Sequence, residues 1–380
     1  MTYSQSVLEI EEAVSIRINQ KVYDLKRSGF DPIVLSLGEA YFDIPMKDFS
    51  VLDFQRGYHY SDTKGLPELR KKIAKYYFNR YYASVDSANE ILITAGSKIA
   101  VFMALRAILN FGDEIVVQEP CWLSYPHQAS LCGASTVFIP HNVLPCDFGR
   151  YFTNKTRVVI INNPNNPSGL LYSREEIDVI YKECLNRNMW MIVDEAYSDF
   201  IIDRPYNSIA EMVADKKSMI LVNSLSKNMG MSGWRIGYAI SSKETIDILT
   251  KLNQHLITCA PTILMQYVER YFDDILECTL PQVRKIVERR NKIARIIDNI
   301  GIKRLPGDAT FYFFLNIDRF NGTSEQFADI LLESRQVSVV PGSAYGKSTD
   351  RFIRIGIGAE SDERIYEALH LINNLIILSK

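Results

Sequence analysis

Side chains that could carry out chemistry follow three short apolar runs of the chain, each at the point where the run ends. They form an amide-rich loop, an acid with a phenol, and a lysine preceded by two hydroxyls, namely Asn162, Asn166, Asp194, Tyr197, Ser224, Ser226 and Lys227. A lysine that loses its proton is a nucleophile and a base. The set is therefore typical of covalent or acid–base chemistry.

Each of these residues also has an ordinary structural explanation. A lysine after Ser-Leu-Ser is usually a solvated surface residue, and an aspartate after a buried strand often caps the next helix. The stretch 163–169, Asn-Pro-Asn-Asn-Pro-Ser-Gly, has the composition of a turn. Their occurrence after three consecutive apolar runs favours one shared site over three separate structural roles.

The apolar runs predict the sheet that must position these side chains. The segments 114–117, 158–161, 190–193 and 219–222 are short and largely apolar, which is typical of strands buried on both faces. Helical patterns separate them, so a parallel α/β sheet is expected. Ligands of such sheets bind beyond the carboxyl ends of the strands. The polar residues should therefore meet at one edge.

The same edge is expected to carry an anion site. Gly96, Ser97 and Lys98 lie between the apolar run 91–94 and a helical pattern over 100–105. This places their backbone N–H groups at a helix N-terminus, where a phosphate is favoured.

The pattern changes after about residue 275 and predicts a second, smaller α+β lobe. Expected elements are a helix over 284–300, a strand over 310–315, a helix over 324–334, a strand over 351–357 and a final helix from about 362. We predict three parts: an N-terminal arm at 1–45 that includes a helix near 8–28 and part of the small domain, a large domain at 46–275 and a small domain at 276–380.

Bulk properties point to a cytoplasmic protein that acts on small molecules. The net charge of -2 gives no global attraction to nucleic acid or to an anionic membrane. The N-terminus has no signal-peptide pattern, and the apolar runs are too short to span a bilayer. The six cysteines are scattered without CxxC spacing, which indicates a reducing compartment. No cluster of ligands suggests a metal, and the stretch 342–348 fails the spacing of a nucleotide-binding P-loop.

The segment 224–238, Ser-Leu-Ser-Lys-Asn-Met-Gly-Met-Ser-Gly-Trp-Arg-Ile-Gly-Tyr, resembles the lysine signature of the class I/II aminotransferases, the fold-type-I pyridoxal-phosphate enzymes. Further landmarks of that family follow in order at 37–39, 60, 64–70, 94–98, 120–125, 163–169, 194–197, 340–343 and 351–354. The resemblance implies an α/β fold. Its large domain has a mostly parallel seven-stranded sheet sandwiched by helices, and a smaller α+β domain follows.

The resemblance also implies pyridoxal 5'-phosphate as cofactor and assigns roles around its ring. Lys227 would hold the cofactor as a Schiff base and move the substrate α-proton. Asp194 would keep the ring nitrogen protonated. Tyr197 and Asn166 would hydrogen-bond the phenolic oxygen of the ring, and Trp122 would stack on its face.

The family's phosphate and substrate ligands can be placed in the same way. The phosphate would be bound by Gly96, Ser97, Lys98, Ser224, Ser226 and Arg235. Tyr60 would reach it from the neighbouring subunit, which implies a homodimer. Arg354 matches the arginine that binds the substrate α-carboxylate, helped by the backbone at Gly38 and by Asn166. Arg351 is the alternative arginine, and strand alternation puts it on the opposite face.

Three functions are compatible with these residues. The first is an aminotransferase that moves an amino group between an L-amino acid and a 2-oxo acid by a ping-pong mechanism through pyridoxamine phosphate. The second is a C–S β-lyase or another elimination or synthase enzyme of the same fold. The third is a cofactor-binding regulator, for which the start of the resemblance near residue 15 leaves no room for a DNA-binding domain. The Gly-Trp-Arg-Ile-Gly stretch that includes Arg235 favours transfer.

One departure from the family pattern borders the expected substrate site. The family usually has Pro-Asp-Phe after Gly-Glu, whereas here Gly38 and Glu39 are followed by Ala40, Tyr41 and Phe42. This predicts an unusual substrate specificity.

Overall fold

The computed structural model describes residues 3–8 and 10–378 of the chain. Its strands, in chain order, are β1 (Ile33–Val34), β2 (Ile91–Thr94), β3 (Glu114–Gln118), β4 (Ser135–Ile139), β5 (Thr156–Asn162), β6 (Trp190–Asp194), β7 (Met219–Ser224), β8 (Gly237–Ile240), β9 (Tyr312–Asn316), β10 (Val337–Ser338), β11 (Val340–Pro341) and β12 (Phe352–Gly356).

The helices are α1 (Gln5–Leu8), α2 (Val14–Arg27), α3 (Phe54–Gly57), α4 (Pro67–Tyr81), α5 (Ser97–Ile108), α6 (Ser124–Leu131), α7 (Arg174–Asn186), α8 (Ile209–Met212), α9 (Leu225–Asn228), α10 (Lys243–Leu256), α11 (Thr262–Asn299), α12 (Ser324–Arg335) and α13 (Asp362–Leu378). Short 3-10 turns occur at Pro145–Tyr151, Ser232–Trp234, Gly342–Tyr345 and Lys347–Thr349. No helix in the described ranges is long and apolar enough to cross a membrane.

Seven strands form the central sheet in the order β2-β8-β7-β6-β5-β3-β4. Every neighbouring pair is parallel except those of β8, which runs antiparallel to β2 and β7. The four predicted apolar runs are β3, β5, β6 and β7. The predicted α/β class with a mostly parallel seven-stranded sheet is confirmed.

The central strands are apolar throughout because both of their faces are buried. Along β5, Val159 and Ile161 face one hydrophobic cluster, while Val158 and Ile160 face another on the opposite side of the sheet. All four side chains are 4% exposed or less. This alternation between two buried layers explains why the strands lack the polar positions of a half-exposed sheet.

The C-terminal part of the chain builds a smaller antiparallel sheet, β11-β12-β9. It packs with the second half of α11 and with α12 and α13 in a cluster of its own. The N-terminal strand β1 pairs with β10, so the N-terminal arm joins this lobe. The predicted limit at residue 275 lies inside α11.

The helix starts follow local sequence signals. Pro67 occupies the first turn of α4, and Ser173 and Glu176 form a capping box at α7. The helix predicted over 284–300 is longer than expected, because α11 spans Thr262–Asn299 with a kink at Tyr271 (φ -107°, ψ 18°), and the part after the kink continues through Pro281. Proline removes one backbone hydrogen bond, and the buried apolar face of α11 on either side of it offsets that loss.

Candidate active site

A cavity of about 610 Å³ lies at the carboxyl ends of β5, β6 and β7 and extends to β9 and β12. All but two of the predicted site residues line it: Gly38, Ser97, Lys98, Trp122, Asn166, Asp194, Tyr197, Ser224, Ser226, Lys227, Arg235 and Arg354. The exceptions are Gly96 and Tyr60. Ends of parallel strands meet at one edge of a sheet, so chemistry spread over 300 residues of sequence converges there.

Lys227 projects into the cavity from α9, the short helix that follows β7. Its Nζ donates a hydrogen bond to the carbonyl oxygen of Gly38 over 2.7 Å. Burial lowers the pKa of Lys227 to about 8, with Arg354 and Arg235 acting in the same direction and Glu39 opposing them. A substantial fraction of this amine is therefore unprotonated near neutral pH, as a nucleophile or base requires.

Asp194 ends β6 and is buried beside the same cavity. Burial raises the pKa of its carboxyl, while hydrogen bonds partly offset that shift. Tyr125 donates to Oδ2 over 2.8 Å, and the backbone N–H of Ala196 donates to Oδ1 over 3.1 Å. A carboxylate held in this way is suited to accept a hydrogen bond from a cationic partner in the cavity.

A chain of three polar side chains crosses the cavity wall. The Nδ2 of Asn166 donates to the hydroxyl of Tyr197 over 3.3 Å, and that hydroxyl lies 2.9 Å from the hydroxyl of Tyr312. The backbone N–H of Asn166 is itself held by Asn162 Oδ1 over 2.6 Å. The Oδ1 of Asn166 is buried and has no partner among the described residues.

The predicted anion site has a helix N-terminus and hydroxyls on neighbouring elements. Gly96 is the N-cap of the twelve-residue helix α5, and its positive φ of 86° favours glycine. A Cβ at this position would clash with the guanidinium of Arg235. The hydroxyls of Ser224 and Ser226 lie 2.8 Å apart at the start of α9. Glycine therefore allows Arg235 to approach the backbone at the start of α5.

Lys98 and Trp122 form one side of the cavity. The Nζ of Lys98 lies 5.2 Å from the centre of the Trp122 ring, a cation–π contact. Burial lowers the pKa of Lys98, and the nearby Arg235 adds to that effect.

Arg354 reaches the cavity from β12 and is 4% exposed. One of its nitrogens donates to the carbonyl oxygen of Ser36, and its Nε has no partner in the described part of the chain. Its guanidinium lies near the rings of Tyr312 and Tyr345, at 4.7 and 5.6 Å from their centres. Arg351 instead forms a surface ion pair with Asp318, so only Arg354 is available to a ligand.

Several residues in and around the cavity were not predicted. Tyr312 lines the cavity and contacts Tyr197, and Tyr125, which lies outside the lining, donates to Asp194. Glu39 accepts a hydrogen bond from Ser232 over 2.8 Å beside Lys227. The helix α2 adds three more, Ser15, Ile16 and Asn19. Asn162, which the sequence already places directly after an apolar run, also lines the cavity and accepts from the backbone of Asn166. Nothing in the sequence of α2 shows which surface the helix docks on.

Tyr60 lies outside the cavity of its own subunit and is 83% exposed. Its contribution across a subunit interface stays a prediction.

The stretch 342–348 contains no P-loop, because it forms two 3-10 turns, and the backbone N–H groups of Lys347 and Ser348 are bound by the carboxylate of Glu119. Within the described residues, no group of three or more His, Cys, Asp or Glu could hold a metal ion.

Residues 32–372 match the family described as Aminotransferase class I and II. The chain belongs to the class I and II aminotransferases. An aspartate aminotransferase of Thermotoga maritima is 32% identical over 382 residues, which cover 98% of this chain and 99% of that protein.

Solved structures agree with this family. The aspartate aminotransferase of Thermus thermophilus with maleate has a TM-score of 0.90 at 26% identity, over 99% of this chain and 100% of that one. The aromatic aminotransferase of Pyrococcus horikoshii has a TM-score of 0.85 at 29% identity, over 93% of this chain and 98% of that one. The fold-type-I architecture is confirmed. This aminotransferase is a transaminase, and the elimination reaction is not favoured.

Proposed function

We propose that this aminotransferase binds pyridoxal 5'-phosphate covalently through Lys227 and moves an amino group between an L-amino acid and a 2-oxo acid in a ping-pong mechanism. The observation that carries the proposal is the buried amine of Lys227, whose pKa of about 8 leaves it reactive, at the strand ends that also present Asp194. When bound, the cofactor supplies an aldehyde that joins to amines and a ring that withdraws electrons from the adjacent carbon.

The polar groups of the cavity fit this cofactor. Asp194 is a buried carboxylate suited to a protonated ring nitrogen. The Nδ2 of Asn166 and the hydroxyl of Tyr197 lie 3.3 Å apart in the cavity wall, and both groups can donate a hydrogen bond to a phenolic oxygen bound beside them. Trp122 lines the cavity and offers a ring face for stacking.

The anion site fits a phosphate dianion. The start of α5 offers backbone N–H groups of the residues after Gly96, and the helix dipole adds to their attraction for an anion. We assign the phosphate to this helix end together with the other predicted ligands, Ser97, Lys98, Ser224, Ser226 and Arg235.

The substrate α-carboxylate is assigned to Arg354 and to the backbone at Gly38. The unpartnered Nε of Arg354 and its burial near two aromatic rings favour a charged ligand. The carboxylate would then lie beside Lys227, whose amine contacts Gly38. From that position Lys227 can remove the proton from the substrate α-carbon and deliver it to the carbon that was the aldehyde of the cofactor.

The names of the relatives do not select a substrate side chain. The Thermotoga maritima and Thermus thermophilus proteins are named for aspartate, and the Pyrococcus horikoshii protein is named for aromatic substrates. The class of substrate is therefore proposed as an L-amino acid with its 2-oxo acid.

We also propose a homodimer in which Tyr60 completes the phosphate site of the partner subunit. Tyr58 and Tyr60 are 79% and 83% exposed, and two large aromatic side chains so close in sequence favour an interface.

The proposed three-part division at residues 45 and 275 makes α11 the link between the large and small domains. A cytoplasmic location is supported by six free cysteines.

The test of the proposal is reduction of the protein with borohydride after incubation with pyridoxal phosphate. We expect a visible absorption band that disappears on reduction, and a peptide map that shows one modified residue, Lys227. In a separate, unreduced sample, a screen of amino donors should identify donors that bleach the band without release of ammonia. Release of ammonia in place of amino transfer would contradict the transaminase reaction. A protein that stays colourless with pyridoxal phosphate would contradict the assignment of this cofactor.

A further inference from the structure

Tyr312 contacts two separate parts of the proposed machinery. Its hydroxyl lies 2.9 Å from the hydroxyl of Tyr197, and its ring faces the guanidinium of Arg354 at 4.7 Å. Both contacts are buried, and Tyr312 itself has no exposed surface. Tyr312 therefore connects Tyr197, at the edge of the large sheet, with Arg354 of the small lobe.

We propose that Tyr312 is a positioning residue of the active site, which holds the hydroxyl of Tyr197 and the guanidinium of Arg354 in a fixed relation to each other. The inference rests on the proposed function and extends it, because Tyr312 is absent from the family landmarks in the sequence. The hydroxyl of Tyr312 would act on Tyr197, and its ring would act on Arg354.

The strand register explains how Tyr312 reaches both groups. Arg354 on β12 pairs with Phe314 on β9, and Tyr312 lies two residues before Phe314. Residues two apart on a strand share a face, so Tyr312 and Arg354 are diagonal neighbours on one face of the small sheet. Their contact therefore moves as one unit with that sheet.

The backbone of Tyr312 is held from the other side. Its carbonyl oxygen accepts a hydrogen bond from Nε of Arg290 over 3.2 Å, and its N–H donates to Oγ1 of Thr310 over 3.2 Å. Gly38 leaves room for the hydroxyl, since a Cβ there would lie 3.2 Å from it. These contacts fix the backbone from which the Tyr312 side chain reaches its two partners, as a positioning role requires.

An ordinary core tyrosine would explain the burial of the ring but not the placement of the hydroxyl. A buried hydroxyl is destabilising unless it is hydrogen-bonded. Burial raises the pKa of both Tyr197 and Tyr312, so both stay protonated and one donates to the other. Tyr312 can thus donate to Tyr197 and leave the Tyr197 proton directed at the proposed cofactor oxygen.

The test compares three variants, first with the cofactor bound and then in the cofactor-free protein. Tyr312→Phe removes only the hydroxyl, and Tyr312→Leu also removes the aromatic face. Tyr345→Phe is the matched control, because the Tyr345 ring also lies near the guanidinium of Arg354, at 5.6 Å, and its hydroxyl has no partner among the described residues. Thermal melting of each variant checks that the fold is retained.

The first measurement is the pH midpoint of the visible absorption band without substrate. The groups that act on Lys227 there are Glu39, Asp194, Arg235 and Arg354, which all three variants retain. Loss of the hydroxyl weakens donation by Tyr197, so Tyr312→Phe should raise the midpoint by about 0.5 unit. Tyr345→Phe should leave it unchanged.

The second measurement is the binding of an unreactive carboxylate, 3-phenylpropionate or succinate, followed by the fluorescence of the cofactor-free protein, in which Trp122 lines the cavity. Loss of the ring should weaken binding by about fivefold in Tyr312→Leu, whereas Tyr312→Phe should bind as the wild type does. A purely structural role of Tyr312 would leave the pH midpoint of Tyr312→Phe unchanged.

The outcomes separate this inference from the proposed function. A wild type without the absorption band would overturn the proposed function and the inference with it. A wild type with the band, together with a Tyr312→Phe variant of unchanged midpoint, would overturn the inference alone. An equal shift in Tyr345→Phe would also overturn it, since the effect would then not depend on the contact with Tyr197.

Discussion

The amine of Lys227 lies 2.7 Å from the carbonyl oxygen of Gly38, so α9, the helix that follows β7, contacts the loop that follows β1. Gly38 and Lys227 are 189 residues apart in the chain. This contact joins the amine of the large sheet to the segment that borders Arg354. The reactive group and the proposed carboxylate site are therefore neighbours before any substrate binds.

The reactivity of Lys227 should depend on pH in a direction set by its lowered pKa of about 8. Only the unprotonated amine attacks an aldehyde, and its fraction is about one tenth at pH 7 and about one half at pH 8. The rate at which the cofactor-free protein forms the absorption band should rise about tenfold per pH unit below 7. It should level off above pH 8, as followed by stopped-flow absorbance.

Replacing Asp194 by Asn should lower turnover more than replacing the residue that holds it. Loss of a buried, hydrogen-bonded charge costs about 3–5 kcal/mol, so Asp194→Asn should reduce kcat by about 100-fold or more. Tyr125→Phe removes one hydrogen bond and should reduce kcat by about tenfold at most. Steady-state kinetics check this order, and a milder effect of Asp194→Asn than of Tyr125→Phe would contradict the assignment of Asp194 to the ring.

Residues that follow apolar runs were predictable because a parallel sheet brings its strand ends together. Asp194 lies one residue beyond its apolar run and Lys227 lies five residues beyond its own, so the topology alone places them at one edge. Tyr312 was missed because the stretch 310–315 has the pattern of a core strand, and only the register against β12 shows which ring meets Arg354. Ser15 and Asn19 were missed because helix docking depends on tertiary packing.

Arg354→Lys should weaken substrate binding with little loss of fold stability. Lysine keeps the charge but cannot form the paired hydrogen bonds of a guanidinium, and the loss of a charge-assisted hydrogen bond costs about 1.5–3 kcal/mol. KM for the amino donor should therefore rise by about 10- to 100-fold. Arg351→Lys is the matched control directly before the same strand, because its ion pair with Asp318 lies at the surface, and it should leave KM unchanged. Equal effects of the two variants would refute the role of Arg354.

The proposed contribution of Tyr60 across the interface predicts that two inactive dimers can restore each other. Lys227→Ala removes the reactive amine, and Tyr60→Ala removes the phosphate ligand given to the partner. In a hybrid dimer, one site contains both defects and the other contains neither. Mixing the two variants under conditions that exchange subunits should recover about one quarter of wild-type activity at equal amounts, because half of the dimers are hybrids with one intact site. If Tyr60 instead serves its own subunit, each site of the hybrid keeps one defect and activity stays low, and a monomer by sizing chromatography would exclude the shared site altogether.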